Sequence, residues 1–87
     1  MNALPMTREE AARIRISRHA LRAMTDRGVE VEDLVEALLR PEVVEPHEGR
    51  LRFVRDGVAF VVAPGPVLVT VLLRERRQWT NSDARSR

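Results

Sequence analysis

The side chains of this sequence best suited to chemistry are His19, Arg22, Arg27 and Thr70, with Arg52 and Arg74 as further cations. Together they suit cleavage of RNA by attack of its own 2′-hydroxyl on the adjacent phosphate. That reaction needs a group that takes or delivers a proton, and cationic donors for the charge that builds on the phosphate. A histidine can move the proton, arginines can clamp the phosphate, and the Thr70 hydroxyl can donate to a phosphate oxygen. Neither a cofactor nor a metal is required.

Other chemistries find less support. There is no Cys, so thiolate chemistry and a disulfide framework are absent, and two histidines, His19 and His47, are too few for a metal cage of imidazoles. The sequence has no phosphate-cradling Gly-rich loop, no Ser nucleophile motif and no calcium loop. Its carboxylates cluster on one helix without a partner acid in an apolar pocket, which argues against a glycosidase-like pair.

The elements that must position these residues can be read locally. Ser17 looks like an N-cap and Gly28 like the left-handed stop of a helix over 18–27. On that helix Ala20, Leu21 and Met24 form the expected apolar stripe, while His19, Arg22 and Asp26 share the opposite face. A second helix, Val31 to Leu39, follows from Val31, Leu34, Val35 and Leu38 at helical spacing, and Pro41 ends it. Glu32, Asp33 and Glu36 give it an acidic outer face, which the helix dipole explains in part.

Strand periodicity begins at Val43. Strands are expected over 42–45, 50–55, 58–63 and 67–73, separated by Pro46-His47-Glu48-Gly49, Asp56-Gly57 and Pro64-Gly65-Pro66. The Asp-Gly pair predicts a two-residue hairpin that sets Phe53 opposite Phe60 and Leu51 opposite Val62. Arg50, Arg52 and Val54 then share the other face with Ala59, Val61 and Ala63. For the last strand the expected parity buries Val67, Val69, Val71 and Leu73, leaving Thr70 and Arg74 on the open face beside Arg50 and Arg52. Arg13 to Ile16 alternates as a short strand that would cover the sheet edge. The fold class expected is α+β: two N-terminal helices on one face of a four- or five-stranded antiparallel-rich sheet. Residues 1–12 are expected as a flexible N-terminus, 13–79 as one domain and 80–87 as a polar tail.

Charge is divided along the chain. Residues 1–28 carry six Arg against three acids (+3), residues 29–49 one against seven (−6), and residues 50–87 eight against three (+5). All fifteen cations are Arg, the better fork for phosphate or carboxylate, although codon bias would look the same. Arg50, Arg52, Arg74, Arg76 and Arg77 are candidate nucleic-acid contacts, and Trp79 could stack on a base. No basic start followed by an apolar run marks export, and Val67 to Leu73 is too short to span a bilayer. A cytoplasmic protein without membrane attachment is expected.

Ile16-Ser17-Arg18-His19-Ala20-Leu21, then Met24, Arg27-Gly28-Val29 and the run from Val31 through Leu38 to Pro41 resemble a family of small bacterial and phage domains of unknown function. The resemblance covers about residues 14–73. That family is similar to the barnase, EndoU, colicin and RelE fold group, which includes RNase toxins. The resemblance implies a toxin-like endoribonuclease in which His19, Arg27 and Thr70 are site residues, with RNA as substrate and an antitoxin or other inhibitory protein as partner. One departure is Ala23, where such sequences often carry an Arg before the Met; Arg22 would have to substitute from a different angle. Two alternatives stand beside it. One is an interaction module, including a homodimer, that uses Val54, Val61, Leu68 and Leu72; the other binds nucleic acid without cleaving it.

Overall fold

In the computed structural model, which describes residues 5–73, local capping chemistry sets the helices. Ahead of α1 (Arg8–Ala12), the Thr7 hydroxyl accepts from the Glu10 N–H at 3.1 Å and Glu10 Oε1 accepts from the Thr7 N–H at 2.9 Å. This reciprocal box satisfies two donors that a helix start leaves free. Residues 8–12 are therefore helical. Ala11 is buried, and the Met6 N–H donates to the Leu38 carbonyl at 2.9 Å, which docks this first turn on the second long helix.

α2 (Arg18–Arg27) begins at Ser17, whose Oγ accepts from the Ala20 N–H at 3.0 Å, and ends at Gly28 with φ 66°. Glycine meets no Cβ penalty there. α3 (Val31–Leu39) starts with the Glu30 N–H donating to Asp33 Oδ2 at 2.9 Å and stops before Pro41. Both helices match the expected bounds, but the buried stripe of α2 differs. Ala20, Ala23 and Met24 are buried, while Leu21 is 54% exposed. The helix rolls its small residues onto the sheet because two alanines let the backbone approach closely, and Leu21 turns toward α3 instead.

Five strands follow the order β1-β5-β4-β3-β2, with β1 (Arg15–Ile16), β2 (Val43–His47), β3 (Arg50–Arg55), β4 (Val58–Ala63) and β5 (Val67–Leu73). The sheet is mixed rather than antiparallel-rich, because β1 runs parallel to β5, with Arg15 against Val67 and Ile16 against Leu68. The remaining pairings are antiparallel. Helices lie on one side only, α2 over β5 and α3 over β3, so the fold is α+β.

Asp56 and Gly57, at φ 54° and 78°, make the expected two-residue turn. Phe53 stands opposite Phe60 and Leu51 opposite Val62 as that turn requires. Glu48 and Gly49, at φ 52° and 77°, form a second turn of the same kind. β2 therefore continues through Pro46 and His47, where a longer turn was expected. Proline is tolerated because β2 is the edge strand.

The last strand departs from simple parity. Val62 pairs with Leu68 but Val61 pairs with Thr70, so Val69 is an extra residue in a β-bulge. A bulge reverses the alternation at one point. Downstream, Val71 is buried as expected, Leu73 keeps the core side of the strand but is 56% exposed at its end, and Thr70 keeps the open side; upstream, Leu68 enters the core and Val67 leaves it. Leu68 is fully buried, so it belongs to no partner patch. The core between helices and sheet is built from Ala20, Met24, Leu34, Leu38, Phe53, Phe60, Leu68 and Val71. Among the described residues no helix is long and apolar enough to cross a membrane.

Candidate functional site

Register assigns the polar side chains of the helix-free sheet face. Glu45, Arg52, Val61 and Thr70 form one row across β2, β3, β4 and β5. His47 and its partner Arg50 lie one two-residue step away on the same face, and Arg15 of β1 joins it beside Val67, which pairs with Ala63. A third row, Val43, Val54, Ala59 and Leu72, is wholly apolar. The face is thus cationic and polar toward the Glu48-Gly49 turn and hydrocarbon toward the other end.

Arg52 and Thr70 stand two inter-strand steps apart, about 10 Å between backbones, within the combined reach of an extended Arg and a Thr across Val61. Arg52 Nε is shielded from solvent and makes no hydrogen bond. Glu45 Oε1 lies 3.7 Å from it, close enough for an ion pair but too far for a hydrogen bond. Its N–H therefore lacks an acceptor, which is a costly state for a shielded donor. His47 is exposed, with Glu48 Oε1 at 3.8 Å from its Nε2.

The other predicted residues lie elsewhere. His19 and Arg22 are exposed on α2. Leu21, Met24, Thr25 and Gly28 line the groove between α2 and the start of α3. At 100° per residue His19 lies about 160° from Leu21, so it faces away from α3 and toward the β5 edge. The Ser17 N–H donates to the Leu68 carbonyl at 3.1 Å and Ser17 Oγ to the Val69 carbonyl at 3.1 Å, which places the start of α2 at that edge. The start of α2 thus lies beside β5, with His19 on the helix side of the sheet and Thr70 on its helix-free face. Arg27 does not join them: eight residues along α2 is about 12 Å. It lines a separate cleft of about 270 Å³ with Asp33, Glu36, Arg55 and Asp56 over Val58, Phe60 and Leu73. Arg74, Arg76, Arg77, Trp79 and the polar tail 80–87 lie outside the described residues.

Sequence reasoning missed His47 and Glu45 on the open face. The signal was present in part, since β3 parity was known and a two-residue Glu48-Gly49 turn carries it into β2. Glutamate is an unusual occupant of a positive-φ turn position, and the expected loop therefore swallowed His47.

The chain belongs to the DUF4258 family, a domain of unknown function, whose model matches residues 16–72. The match takes in α2, α3 and almost the whole sheet. No curated protein and no solved structure shows significant similarity to the chain.

Proposed function

We propose that this member of the DUF4258 family is a metal-independent endoribonuclease whose chemistry occurs on the open sheet face. The observation that carries the reading is the shielded Arg52 Nε–H without an acceptor, in the same cross-strand row as Thr70 and one step from Arg50 and His47. A phosphate oxygen supplies the missing acceptor, and a second oxygen is within reach of Arg50 or the Thr70 hydroxyl.

His47 and Glu45 project from the same side of β2, two residues or about 7 Å apart along the strand. One takes the proton of the 2′-hydroxyl as O2′ bonds to phosphorus. The other returns a proton to O5′ as the P–O5′ bond breaks, leaving a 2′,3′-cyclic phosphate and a free 5′-hydroxyl. Arg50 and Arg52 oppose the negative charge that gathers on the non-bridging oxygens. Of the residues chosen from sequence, Thr70 contributes from this face. His19 and Arg22 approach from the β5 edge, and Arg27 serves the separate cleft. The family resemblance read from the sequence would imply an RNase-toxin setting, which would add an inhibitory protein partner.

A second reading rests on the apolar row. Val43 and Leu72 are each 41% exposed at its two ends while Val54 and Ala59 between them are buried, so a non-catalytic contact with a second copy or another protein would rest on the two ends. One experiment separates the two. Purified protein is incubated with RNA in chelator, and products are examined for cyclic phosphate ends. Cleavage that is lost in His47→Ala and Arg52→Ala supports the enzyme. Intact RNA with the folded wild-type protein sinks it and leaves the interaction module.

A further inference from the structure

Residues 11–25 contain four arginines, Arg13, Arg15, Arg18 and Arg22, and no acidic residue. All four are exposed. Among the described residues none of them makes an ion pair, whereas Arg40, Arg52 and Arg55 each have a carboxylate oxygen within 4 Å, at 2.9, 3.7 and 3.9 Å. Among the described residues the cations on this side of the molecule thus neutralise no carboxylate.

Helix electrostatics makes the placement of Arg18 costly. α1 and α3 carry acids in their first turns, Glu9 and Glu10 in one, Glu32 and Asp33 in the other, while α2 carries none and opens on Arg18. A cation there meets the positive end of the dipole, an unfavourable contact. Stability therefore does not explain why arginine opens this helix.

Geometry joins the four into one track. Arg15 belongs to the open sheet face through its pairing with Val67, next to the edge where α2 begins. Arg18 and Arg22 are one helical turn apart on the outer surface of α2, about 6 Å along its axis. Arg13 precedes Arg15 at the end of α1. The line of unpaired guanidinium groups thus leaves the face that holds Arg50, Arg52 and Thr70, turns round the β1 edge and continues up α2.

We infer that this ridge is a binding track for the phosphate backbone of single-stranded RNA, which feeds the strand onto the open sheet face. The inference rests on RNA being the substrate, as proposed above, but not on cleavage. A flexible single strand can turn round the sheet edge, which a stiff duplex cannot do over this distance. Arginine forks match phosphate oxygens in pairs, and no base-specific contact is needed.

The test uses 2′-O-methyl RNA, which cannot undergo 2′-hydroxyl attack, so binding is read apart from cleavage. Fluorescence anisotropy is measured at several salt concentrations for the wild type, for the fourfold variant Arg13→Gln/Arg15→Gln/Arg18→Gln/Arg22→Gln, and for Arg40→Gln as a charge-loss control. All five positions are exposed, and a thermal melt confirms that each variant folds. The expected result is weaker binding in the fourfold variant, with a salt dependence whose log–log slope falls by about 3, near 0.7 for each lost phosphate contact. Arg40→Gln should bind as the wild type does.

Wild-type protein that binds no RNA overturns the inference, as does a fourfold variant whose affinity and salt slope are unchanged. The latter result points to an acidic protein as the occupant of the ridge. If the ridge variant loses binding while wild-type protein leaves ordinary RNA intact, the cleavage reading fails and the track stands.

Discussion

The Ser17 hydroxyl donates to the Val69 carbonyl at 3.1 Å while accepting from the Ala20 N–H at 3.0 Å. One side chain thereby caps α2 and fastens it to the bulged residue of β5, the turning point between the buried and open sides of that strand. Ser17→Ala removes both bonds, each partly buried, and should destabilise the protein by about 1–2 kcal/mol in urea unfolding. No measurable loss would mean that this junction is not held by the hydroxyl.

Packing of α2 gives a contrast between neighbours. Because Leu21 is exposed and Ala23 is 5% exposed against the sheet, Leu21→Ala should cost less than about 0.5 kcal/mol. Ala23→Leu should overpack the interface by about 1–3 kcal/mol. Equilibrium denaturation of the two variants checks the roll of the helix, and the reverse order of costs would contradict it.

The turn at Glu48 offers a stabilising substitution. Its φ of 52° is an unfavourable left-handed conformation for glutamate and a tolerated one for asparagine. Glu48→Asn should raise stability by about 0.5–1 kcal/mol, read as a higher melting temperature. A fall in that temperature would argue against the two-residue turn and hence against the placement of His47.

At the open face, the proposed roles differ in size. His47→Ala should lower the rate of RNA cleavage by about 10²–10⁴-fold through loss of proton transfer. Arg52→Ala removes a donor to the developing phosphate charge and should cost about 10²–10³-fold. Arg52→Lys should recover part of that loss, since it restores the charge but not the fork. His19→Ala should be the milder histidine variant; if it alone abolishes cleavage, the reacting phosphate lies at the β5 edge instead.

Burial also predicts where the fold is least tolerant. Phe53 and Phe60 are each 1% exposed and face one another across β3 and β4, so Phe60→Ala should cost about 3–5 kcal/mol. In so small a domain that is enough to unfold much of the population, visible as lost sheet signal in circular dichroism.

What the sequence determined by itself was whatever short-range chemistry decides. Ser17 and Gly28 bound α2, Pro41 ended α3, and Asp56-Gly57 set the β3–β4 register, because a cap or a two-residue turn depends only on residues a few positions apart. From that turn alone the Arg50 and Arg52 side of the sheet could be separated from the phenylalanine side. Tertiary structure decided the rest. The parallel pairing of β1 is made by the Arg15 and Ser17 N–H groups donating to the Pro66 and Leu68 carbonyls, and the bulged Val69 is bonded to the Ser17 hydroxyl 52 residues away in the chain. Burial of Ala23 in preference to Leu21 required a sheet surface close enough to favour the smaller side chain. His47 reached the open face because β2 needed a partner along the whole of β3, and the free energy of that pairing outweighed the poor fit of glutamate to its turn.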